Sequence, residues 1–341
     1  MRLMAILALM ASAVLCPIFS AQAEFKVRKI VEVVDSDTTP IIGGLRWSPD
    51  GAYIAYFRNG WLMLADTIGR ARRMVKVQGL AGRFEWLDNT RLVVCLHSYT
   101  GDKTEVQRLC LLDVTLGSEQ VLDSANRRVG QRAAEGTVLD GPKRSLEGNL
   151  YYGLGRGPSQ VKRRITTSAV RVEAMTPTAK DHILRWSVNS DGLYKVALDG
   201  SDSTILLEGK QPGGSLEMDI NTEGDQLAMG RVIRSLKGPE YIDMETSLPP
   251  PPEGSLCGII LPKFNPKYLE VAVHVTCDDG HMLTCGYAAI FDILSRQLAK
   301  LDELIGREHC GDTQFAPDGN RLAVNCVGRV YVVFREANHD Q

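Results

Sequence analysis

Apolar and polar residues alternate along short segments of this chain, and tight turns separate the segments. The clearest turn is at residues 47–51 (Trp-Ser-Pro-Asp-Gly), between the apolar-rich segment 45–47 and the alternating segment 52–56. Pro-Asp-Gly is typical of a tight turn, because proline presets one backbone angle and glycine tolerates a positive φ. Segments of this length that alternate with period two predict half-buried β-strands.

The same pattern returns near the end of the sequence, where residues 315–319 read Phe-Ala-Pro-Asp-Gly and precede the apolar run 322–324. Weaker copies lie between, so that turns fall near positions 49, 88, 177, 222, 266 and 318. Successive turns are 39, 89, 45, 44 and 52 residues apart, and the gap of 89 is about two repeats long. A repeat of this length with about four short strands is typical of a β-propeller blade.

We therefore predict an all-β fold, a β-propeller of seven blades, with six blades as the alternative. The last repeat lacks a fourth strand after Val330–Phe334, while Phe25–Val34 reads as a strand ahead of the first repeat. Phe25–Val34 can pair with the last repeat and close the ring, which removes exposed sheet edges. No segment with the period of a helix competes with this interpretation.

The first 23 residues have the pattern of a secretory signal peptide. Arg2 is followed by an almost wholly apolar run from residue 3 to residue 15, and residues 21–23 (Ala-Gln-Ala) form a small-x-small cleavage site. The apolar run is shorter than a membrane-spanning helix requires. We expect residues 1–23 to be removed and residues 24–341 to form a single propeller domain, either periplasmic or secreted.

Composition and charge agree with a large folded domain. The chain is 44% hydrophobic and 23% charged, with a formal net charge of −2. Loss of Arg2 with the signal peptide makes the balance −3. A nearly neutral chain argues against nucleic acid as the main partner. Charges interrupt every later apolar run, so no further segment is predicted to span a membrane.

The chain contains eight cysteines, one of them in the signal peptide. Directly opposed residues of a hairpin lie symmetrically about its turn, and their Cα atoms are about 5 Å apart, which suits a disulfide. This symmetry predicts three disulfides with Cys257 left over: Cys95–Cys110, Cys277–Cys285 and Cys310–Cys326. Disulfides agree with an oxidising location. A zinc site is the competing interpretation, but no C-x-x-C spacing or histidine pair supports it.

Residues 127–171 carry ten basic side chains against three acidic ones, in the stretch where the strand and turn pattern is weakest. A solvated loop face is the ordinary interpretation of such a charge run. The sharper hypothesis is a basic patch that docks an acidic protein surface or an anionic envelope component. Its members are Arg127, Arg128, Arg132, Lys143, Arg144, Arg156, Lys162, Arg163, Arg164 and Arg171.

Two glycine- and proline-rich segments have simple structural explanations. Residues 153–157 (Gly-Leu-Gly-Arg-Gly) depart from the phosphate-loop pattern and are followed by Pro158, so a plain loop is favoured. The proline run 249–252 is favoured as a rigid surface loop over a polyproline ligand.

A third segment contains side chains that bind metals in other proteins. Asp278, Asp279 and His281, with His274 nearby, combine carboxylates and imidazoles that can coordinate a divalent cation. Asp-Asp-Gly is equally a routine turn composition, and no further ligand is spaced to complete a site. We therefore predict a turn here, and no metal and no cofactor.

The turn boxes at residues 47–51 and 315–319, with the apolar runs after them, resemble the WD-like propeller repeat of the periplasmic TolB family. The same repeat occurs in the propeller domains of prolyl-oligopeptidase-type peptidases. The resemblance covers most of the mature chain and implies an architecture, not an activity. The chain departs from both groups. It reaches its first repeat without the α/β domain of TolB, and it lacks the G-x-S-x-G of a hydrolase domain.

These observations favour a non-enzymatic, exported β-propeller that mediates protein–protein or ligand binding in the cell envelope. The expected partner is an envelope protein or an anionic surface component. No catalytic residue is assigned. The alternative is a propeller lyase or hydrolase whose site lies in the central channel, where side chains from different blades converge.

Overall fold

The computed structural model describes residues 27–34, 42–58, 61–67, 72–75, 80–100, 104–128, 139–146, 149–154, 161–165, 172–174, 181–186, 192–198, 201–208, 218–251, 253–280 and 283–336. The predicted signal peptide, residues 1–23, lies outside the described residues. No helix among the described residues is long and apolar enough to cross a membrane.

The described strands form seven antiparallel sheets, which we number I to VII in chain order. Strand β1 (Val27–Val34) precedes sheet I, which comprises β2 (Ile42–Trp47), β3 (Tyr53–Arg58), β4 (Trp61–Asp66) and β5 (Arg72–Val75). Sheet II comprises β6 (Leu80–Trp86), β7 (Arg91–Tyr99), β8 (Thr104–Asp113) and β9 (Ser118–Arg128). Sheet III comprises β10 (Leu139–Arg144), β11 (Leu150–Leu154), β12 (Val161–Ile165) and β13 (Val172–Ala174).

The second half of the chain continues in the same way. Sheet IV has three described strands, β14 (His182–Trp186), β15 (Gly192–Ala197) and β16 (Ser203–Glu208). Sheet V comprises β17 (Met218–Ile220), β18 (Gln226–Met229), β19 (Val232–Ser235) and β20 (Tyr241–Asp243), followed by a 3₁₀ helix, Met244–Ser247. Sheet VI comprises β21 (Leu256–Phe264), β22 (Glu270–Asp278), β23 (Leu283–Asp292) and β24 (Leu298–Lys300), followed by helix α1 (Leu301–Ile305). Sheet VII comprises β25 (Cys310–Phe315), β26 (Arg321–Cys326), β27 (Arg329–Arg335) and, at its outer edge, β1.

Apart from β1 in sheet VII, each sheet is a meander of consecutive strands, and the first strands of several neighbouring sheets lie beside one another. Contacts join β25 to β2, β2 to β6, β6 to β10, β17 to β21 and β21 to β25. The N-terminal strand β1 pairs antiparallel with β27, with Ile30 opposite Val333. Consecutive small antiparallel sheets placed side by side with their first strands innermost are the arrangement of a β-propeller.

The core lies between neighbouring sheets, because each strand sends alternate side chains to its two faces. In β7, Val94 packs with Leu64 of sheet I, whereas Val93 packs with Leu139 of sheet III. Sheets VII and I share another cluster, in which Leu45 packs with side chains of β26 and β27. This two-sided burial explains why the strands combine period-two alternation with long apolar stretches.

Sheet III lies in the long gap between the predicted turns near residues 88 and 177. Its first hairpin turns at residues 145–149, where the backbone N–H of Asn149 donates to Ser145 Oγ at 3.2 Å. This turn contains neither proline nor aspartate, which is why the sequence pattern missed it. The turn predicted near residue 177 lies outside the described residues.

The predicted disulfide between Cys95 and Cys110 is wrong, although both residues belong to one hairpin. Cys95 lies opposite Leu109, and Cys110 lies opposite Val94. The offset of one residue sends the two side chains to opposite faces, because successive residues of a strand alternate. Cys95 packs toward sheet III and Cys110 toward sheet I, and both remain buried thiols.

The predicted disulfide between Cys277 and Cys285 is also wrong, because Cys277 bonds to Cys257. Cys277 lies on a central strand, directly opposite both cysteines. Its Cα lies 4.0 Å from that of Cys257, the short separation of a pair without backbone hydrogen bonds. The pair with Cys285 is then the hydrogen-bonded and wider one, about 5.5 Å apart. In sheet VII, Cys310 and Cys326 do form a disulfide.

Candidate functional site

One position near the end of the first strand carries a polar residue in every described sheet. It is the penultimate residue of that strand, and we call these residues the penultimate set. Its members are Arg46, Glu85, Lys143, Arg185, Asp219, Lys263 and Gln314. The side chain of Arg185 lies outside the described part of the chain. The residue that follows is aromatic in five of the sheets: Trp47, Trp86, Trp186, Phe264 and Phe315.

Trp47 and Trp86, at the ends of their strands, each join their sheet to the one before it. The indole N–H of Trp47 donates to the backbone oxygen of Gln314 at 2.7 Å. The indole N–H of Trp86 donates to the backbone oxygen of Arg46 at 3.1 Å. Buried indoles need such an acceptor, and here the acceptor belongs to the neighbouring sheet. The penultimate side chains therefore point away from this packed side of the strand.

The penultimate side chains approach one another from sheets that are far apart in the chain. Arg46 Nε donates to Glu85 Oε1 at 3.0 Å, which joins sheets I and II. Asp219 of sheet V experiences the positive charges of both Lys263 and Arg46. Asp219 and Arg46 therefore lie within range of each other's charge, although they belong to sheets V and I.

Asp312 extends this group by one carboxylate. Its Oδ2 accepts the backbone N–H of Leu45 at 3.3 Å, and Asp219 Oδ2 accepts the backbone N–H of Phe264 at 2.7 Å. Each aspartate thus binds the first strand of the following sheet. We define the channel cluster as Arg46, Glu85, Asp219, Lys263 and Asp312.

Burial dominates the electrostatics of the two aspartates. It raises the pKa of Asp219 above the usual range, against the opposing effects of Lys263, the Phe264 N–H and Arg46. Burial likewise raises the pKa of Asp312, opposed by the Leu45 N–H, Arg46, Lys263 and His274. Both residues nevertheless keep intermediate exposure. They therefore line a recess that water reaches but that protein encloses on most sides, which strengthens any charge interaction made there.

His274 lies beside the channel cluster, not in a metal site with Asp278. A Cβ added at Gly286 would lie 3.2 Å from His274 Nε2, and one at Gly311 would lie 3.5 Å from Cε1, so two glycines make room for the ring. Burial lowers the pKa of His274, while Asp312 opposes that shift.

Asp278, by contrast, closes a local turn. Its Oδ1 accepts the backbone N–H of Gly280 at 2.6 Å, the routine role of aspartate in this position. His281 lies outside the described residues. No group of three metal-binding side chains is found among the residues that the structure describes.

The turn boxes are structural, and they lie together at one face of the sheets. Within the first box, Ser48 Oγ donates to Asp50 Oδ1 at 2.6 Å and accepts the backbone N–H of Tyr53 at 2.9 Å. Arg321 Nη1 donates to the backbone oxygen of Gly51 at 2.8 Å, joining the last box to the first. These bonds engage the side chains of Ser48 and Asp50 within the fold.

The described residues do not test whether the side chains of the predicted basic patch lie together. Lys143 belongs to the penultimate set. Three members lie outside the described residues: Arg132, Arg156 and Arg171. Six others lie on described strands, but their side chains lie outside the described part: Arg127, Arg128, Arg144, Lys162, Arg163 and Arg164. The patch therefore stays a prediction.

None of the five members of the channel cluster was predicted as a site residue from the sequence: Arg46, Asp219, Lys263, Asp312 and Glu85. A signal for the first three was present, because each charged residue stands immediately before the apolar residue that leads into a turn. Only the structure shows that these positions face a common centre.

No protein-family model matches the sequence, and no curated protein matches it. Several solved structures are similar in shape. One from a mitotic checkpoint complex is 12% identical over 93% of this chain and 96% of that chain, with a TM-score of 0.48. The C-terminal WD40 domain of Sif2 is 12% identical over 92% and 100%, with a TM-score of 0.44. A gluconolactonase from Xanthomonas campestris is 12% identical over 90% and 89%, with a TM-score of 0.39. At these values the likeness carries no information about activity.

Proposed function

We propose that this chain is an exported, non-enzymatic β-propeller that binds a charged partner in the cell envelope through its channel cluster. One observation carries the proposal: charged side chains of both signs converge in one half-buried recess from separate sheets. A charge held in such a recess is stabilised when a partner supplies the complementary group. Arg46 and Lys263 suit an anionic group, and Asp219 and Asp312 suit a cationic one.

The architecture supports this proposal. Seven described sheets, with β1 completing sheet VII, favour a closed ring of seven blades over one of six. Closure holds the channel cluster in place, because its members are anchored to strands of different sheets. The TolB-like character suggested by the turn boxes belongs to the same proposal.

Export is supported by the two disulfides, Cys257–Cys277 and Cys310–Cys326. Disulfides form and persist in oxidising compartments such as the periplasm or the cell exterior. The predicted signal peptide points to the same location. Recovery of a mature chain that begins near Glu24 from the periplasmic or culture fraction would test both.

Quantitative capture tests the binding site. The purified mature protein is immobilised, exposed to solubilised envelope extract, and the bound components are measured by mass spectrometry and lipid analysis. We expect Lys263→Gln to lower the recovery of the specific partner at least about tenfold, because a buried charge loses its counterpart. The matched control is Lys237→Gln, which removes a lysine that is 74% exposed and paired with Asp225. Equal recovery by both variants would contradict the channel site.

The same assay separates the channel cluster from the basic patch. A double variant, Arg163→Glu with Arg164→Glu, reverses two charges of the predicted patch and leaves the channel cluster intact. Loss of the partner in this variant, with normal recovery by Lys263→Gln, would move the binding site to the patch.

The enzyme alternative has one specific observation in its favour. Burial raises the pKa values of Asp219 and Asp312, and a carboxyl group that keeps its proton can act as a general acid. If the channel is catalytic, the captured partner is consumed, and Asp312→Asn binds it without turnover. Unchanged partner after prolonged incubation with the wild-type protein supports binding alone.

A further inference from the structure

Three side chains of sheet II form a continuous thiol–imidazole–carboxylate series. Cys95 Sγ lies 3.8 Å from His97 Nε2, and His97 Nδ1 lies 2.9 Å from Glu105 Oε1. Cys95 and His97 are two residues apart on β7, so their side chains share a face. Glu105 reaches that face from β8, where it lies opposite Tyr99, the next residue of the same face.

The carboxylate is itself held in place from two sides. Gln107, directly opposite His97, donates from Nε2 to Glu105 Oε1 at 3.0 Å. Gln107 Oε1 accepts the backbone N–H of Leu139 at 2.7 Å, which attaches the series to sheet III. Glu105 is 6% exposed and Gln107 5% exposed. A buried carboxylate with fixed donors orients an imidazole in the way that a catalytic base requires.

The hydrogen bond to Glu105 assigns the protons of His97. A carboxylate oxygen accepts, so Nδ1 carries the hydrogen and the Nε2 lone pair faces Cys95. The thiol proton can therefore pass to Nε2, and Glu105 stabilises the imidazolium that forms. This is how a neighbouring histidine converts a thiol into the nucleophilic thiolate.

Cys110, in the same hairpin, has the opposite surroundings. Its Sγ donates to Glu119 Oε1 at 3.4 Å. Burial and the negative charge of Glu119 raise the pKa of Cys110 to about 12. Cys110 therefore stays protonated, and it also lies on the opposite face of the sheet from Cys95.

Burial limits what can react with Cys95. The residue is only 1% exposed, whereas the side chain of His97, which lies 3.8 Å from the sulfur, is 30% exposed. A polypeptide or a bulky reagent does not reach such a sulfur. Hydrogen peroxide is little larger than water and is uncharged.

We propose that Cys95 is a peroxide-reactive thiol, activated by His97 and Glu105 and independent of the channel cluster. The thiolate attacks one oxygen of hydrogen peroxide, a sulfur–oxygen bond forms and the oxygen–oxygen bond breaks. The departing hydroxide takes the proton held on His97 Nε2 and leaves as water. Sulfur is oxidised to a sulfenic acid and peroxide is reduced, so no further reactant is needed. Cys110 is not placed to resolve the product as a disulfide.

The two cysteines can be compared within one sample of folded protein. The mature protein is treated with hydrogen peroxide for increasing times, quenched with catalase, unfolded, and its remaining thiols are labelled for peptide mass spectrometry. We expect Cys95 to lose its thiol at least about tenfold faster than Cys110 and to gain one oxygen atom. Equal rates for the two cysteines would overturn the proposal without any variant.

Variants test the role of the imidazole. His97→Gln is expected to slow oxidation of Cys95 at least about tenfold, because the thiol then lacks its base. The matched control is His309→Gln, which replaces an exposed histidine directly before β25 of sheet VII. In this variant Cys95 should be oxidised at the wild-type rate. An unchanged rate in His97→Gln, with a circular dichroism spectrum like that of the wild type, would overturn the proposal.

Glu105→Gln tests the carboxylate of the series. The described charged side chains near Cys95 include His97, Glu105 and Arg83, whose Cβ meets the same glycine, Gly141, as the Cβ of Cys95. Without the carboxylate, the imidazolium that forms at His97 is no longer stabilised, so oxidation of Cys95 should slow at least about tenfold. A wild-type rate in Glu105→Gln would contradict the series, and this variant also serves as the test if His97→Gln unfolds.

Discussion

Two hairpins of this protein carry cysteines at positions nearly symmetric about the turn, but only one of the two pairs forms a disulfide. In sheet VII, Cys310 lies directly opposite Cys326 and the two are bonded. In sheet II, Cys95 lies opposite Leu109, and Cys110 lies one residue out of register with it. One hairpin therefore holds a cross-link, whereas the other holds two thiols with separate surroundings.

A single extra residue accounts for the difference. Nearer the turn of sheet VII, Thr313 lies opposite Val324, and continuing that register would place Gly311 opposite Cys326. A β-bulge between Cys310 and Thr313 adds one residue to β25, which brings Cys310 opposite Cys326 instead. The pairing of β7 with β8 has no such irregularity between Arg91–Asp113 and Tyr99–Glu105, so its cysteines stay on opposite faces.

The largest expected effect is on the reactivity of Cys110. The pKa of Cys110 is raised to about 12 from 9.0, so at pH 9 about one thiol in a thousand is ionised instead of one in two. Alkylation of Cys110 in the folded protein should be at least about 500-fold slower than in the unfolded chain. Its rate should still rise tenfold per unit above about pH 9, where an ordinary thiol levels off. A plateau near that pH would contradict the raised pKa.

The same shift predicts how stability depends on pH. Because the folded pKa lies above the unfolded one, the contribution of Cys110 to stability is complete below about pH 9 and is lost as pH rises toward about 12. Urea unfolding of the wild type and of Cys110→Ala should show a steeper alkaline loss in the wild type. Parallel curves would contradict the shift.

The next effect is the loss of the disulfide in sheet VII. Cys310→Ala with Cys326→Ala opens a loop of 16 residues, which should lower the free energy of unfolding by about 3 kcal/mol beyond the loss of the two sulfur atoms. The matched control is Cys95→Ala with Cys110→Ala, which removes two buried sulfur atoms but no cross-link. Denaturant unfolding under identical conditions measures the difference, and equal losses in the two double variants would contradict it.

The smallest expected effect on stability comes from placing a second cysteine directly opposite Cys95 in sheet II, as Cys326 lies opposite Cys310 in sheet VII. Leu109→Cys with Cys110→Leu places a thiol opposite Cys95. Backbone hydrogen bonds join Thr100 to Thr104 and Val114 to Thr90. Hydrogen-bonded and non-hydrogen-bonded pairs alternate along an antiparallel ladder, so Cys95 and Leu109 form a close pair without backbone hydrogen bonds.

This variant should therefore form the disulfide with Cys95 on oxidation. The cross-link contributes about 3 kcal/mol, which offsets much of the loss of the Leu109 side chain, so the net change should stay within about 2 kcal/mol. Non-reducing peptide mapping tests the bond. Free thiols at both positions 95 and 109 after oxidation would show that register alone does not explain the comparison.

The repeat pattern shows which turns could be predicted from local sequence and which could not. The turn boxes at residues 47–51 and 315–319 correctly marked hairpins of sheets I and VII, because proline, aspartate and glycine impose turns locally. The hairpin of sheet III at residues 145–149 was missed, because it contains neither proline nor aspartate and Asn149 bonds to Ser145 instead. Alternation predicted strands, but it could not tell which turn belonged to which pair.

The candidate site could not be predicted from local sequence, for a different reason. Asp219 and Arg46 stand 173 positions apart, and they meet only because their strands occupy the inner edges of sheets V and I. The series from Cys95 to Glu105 is local, yet its chemistry depends on Gln107 and on Leu139 of another sheet. Its one visible signal was the spacing of Cys95 and His97, which places both on one face of a strand.

The sequence by itself determined the strands, most of their turns and the all-β architecture, because alternation and turn chemistry act between near neighbours. Only the tertiary structure decided which cysteines bond, since one bulged residue changes the register of every residue beyond it. It also decided which charges share the channel cluster, because packing of whole sheets brings together side chains that no local spacing relates.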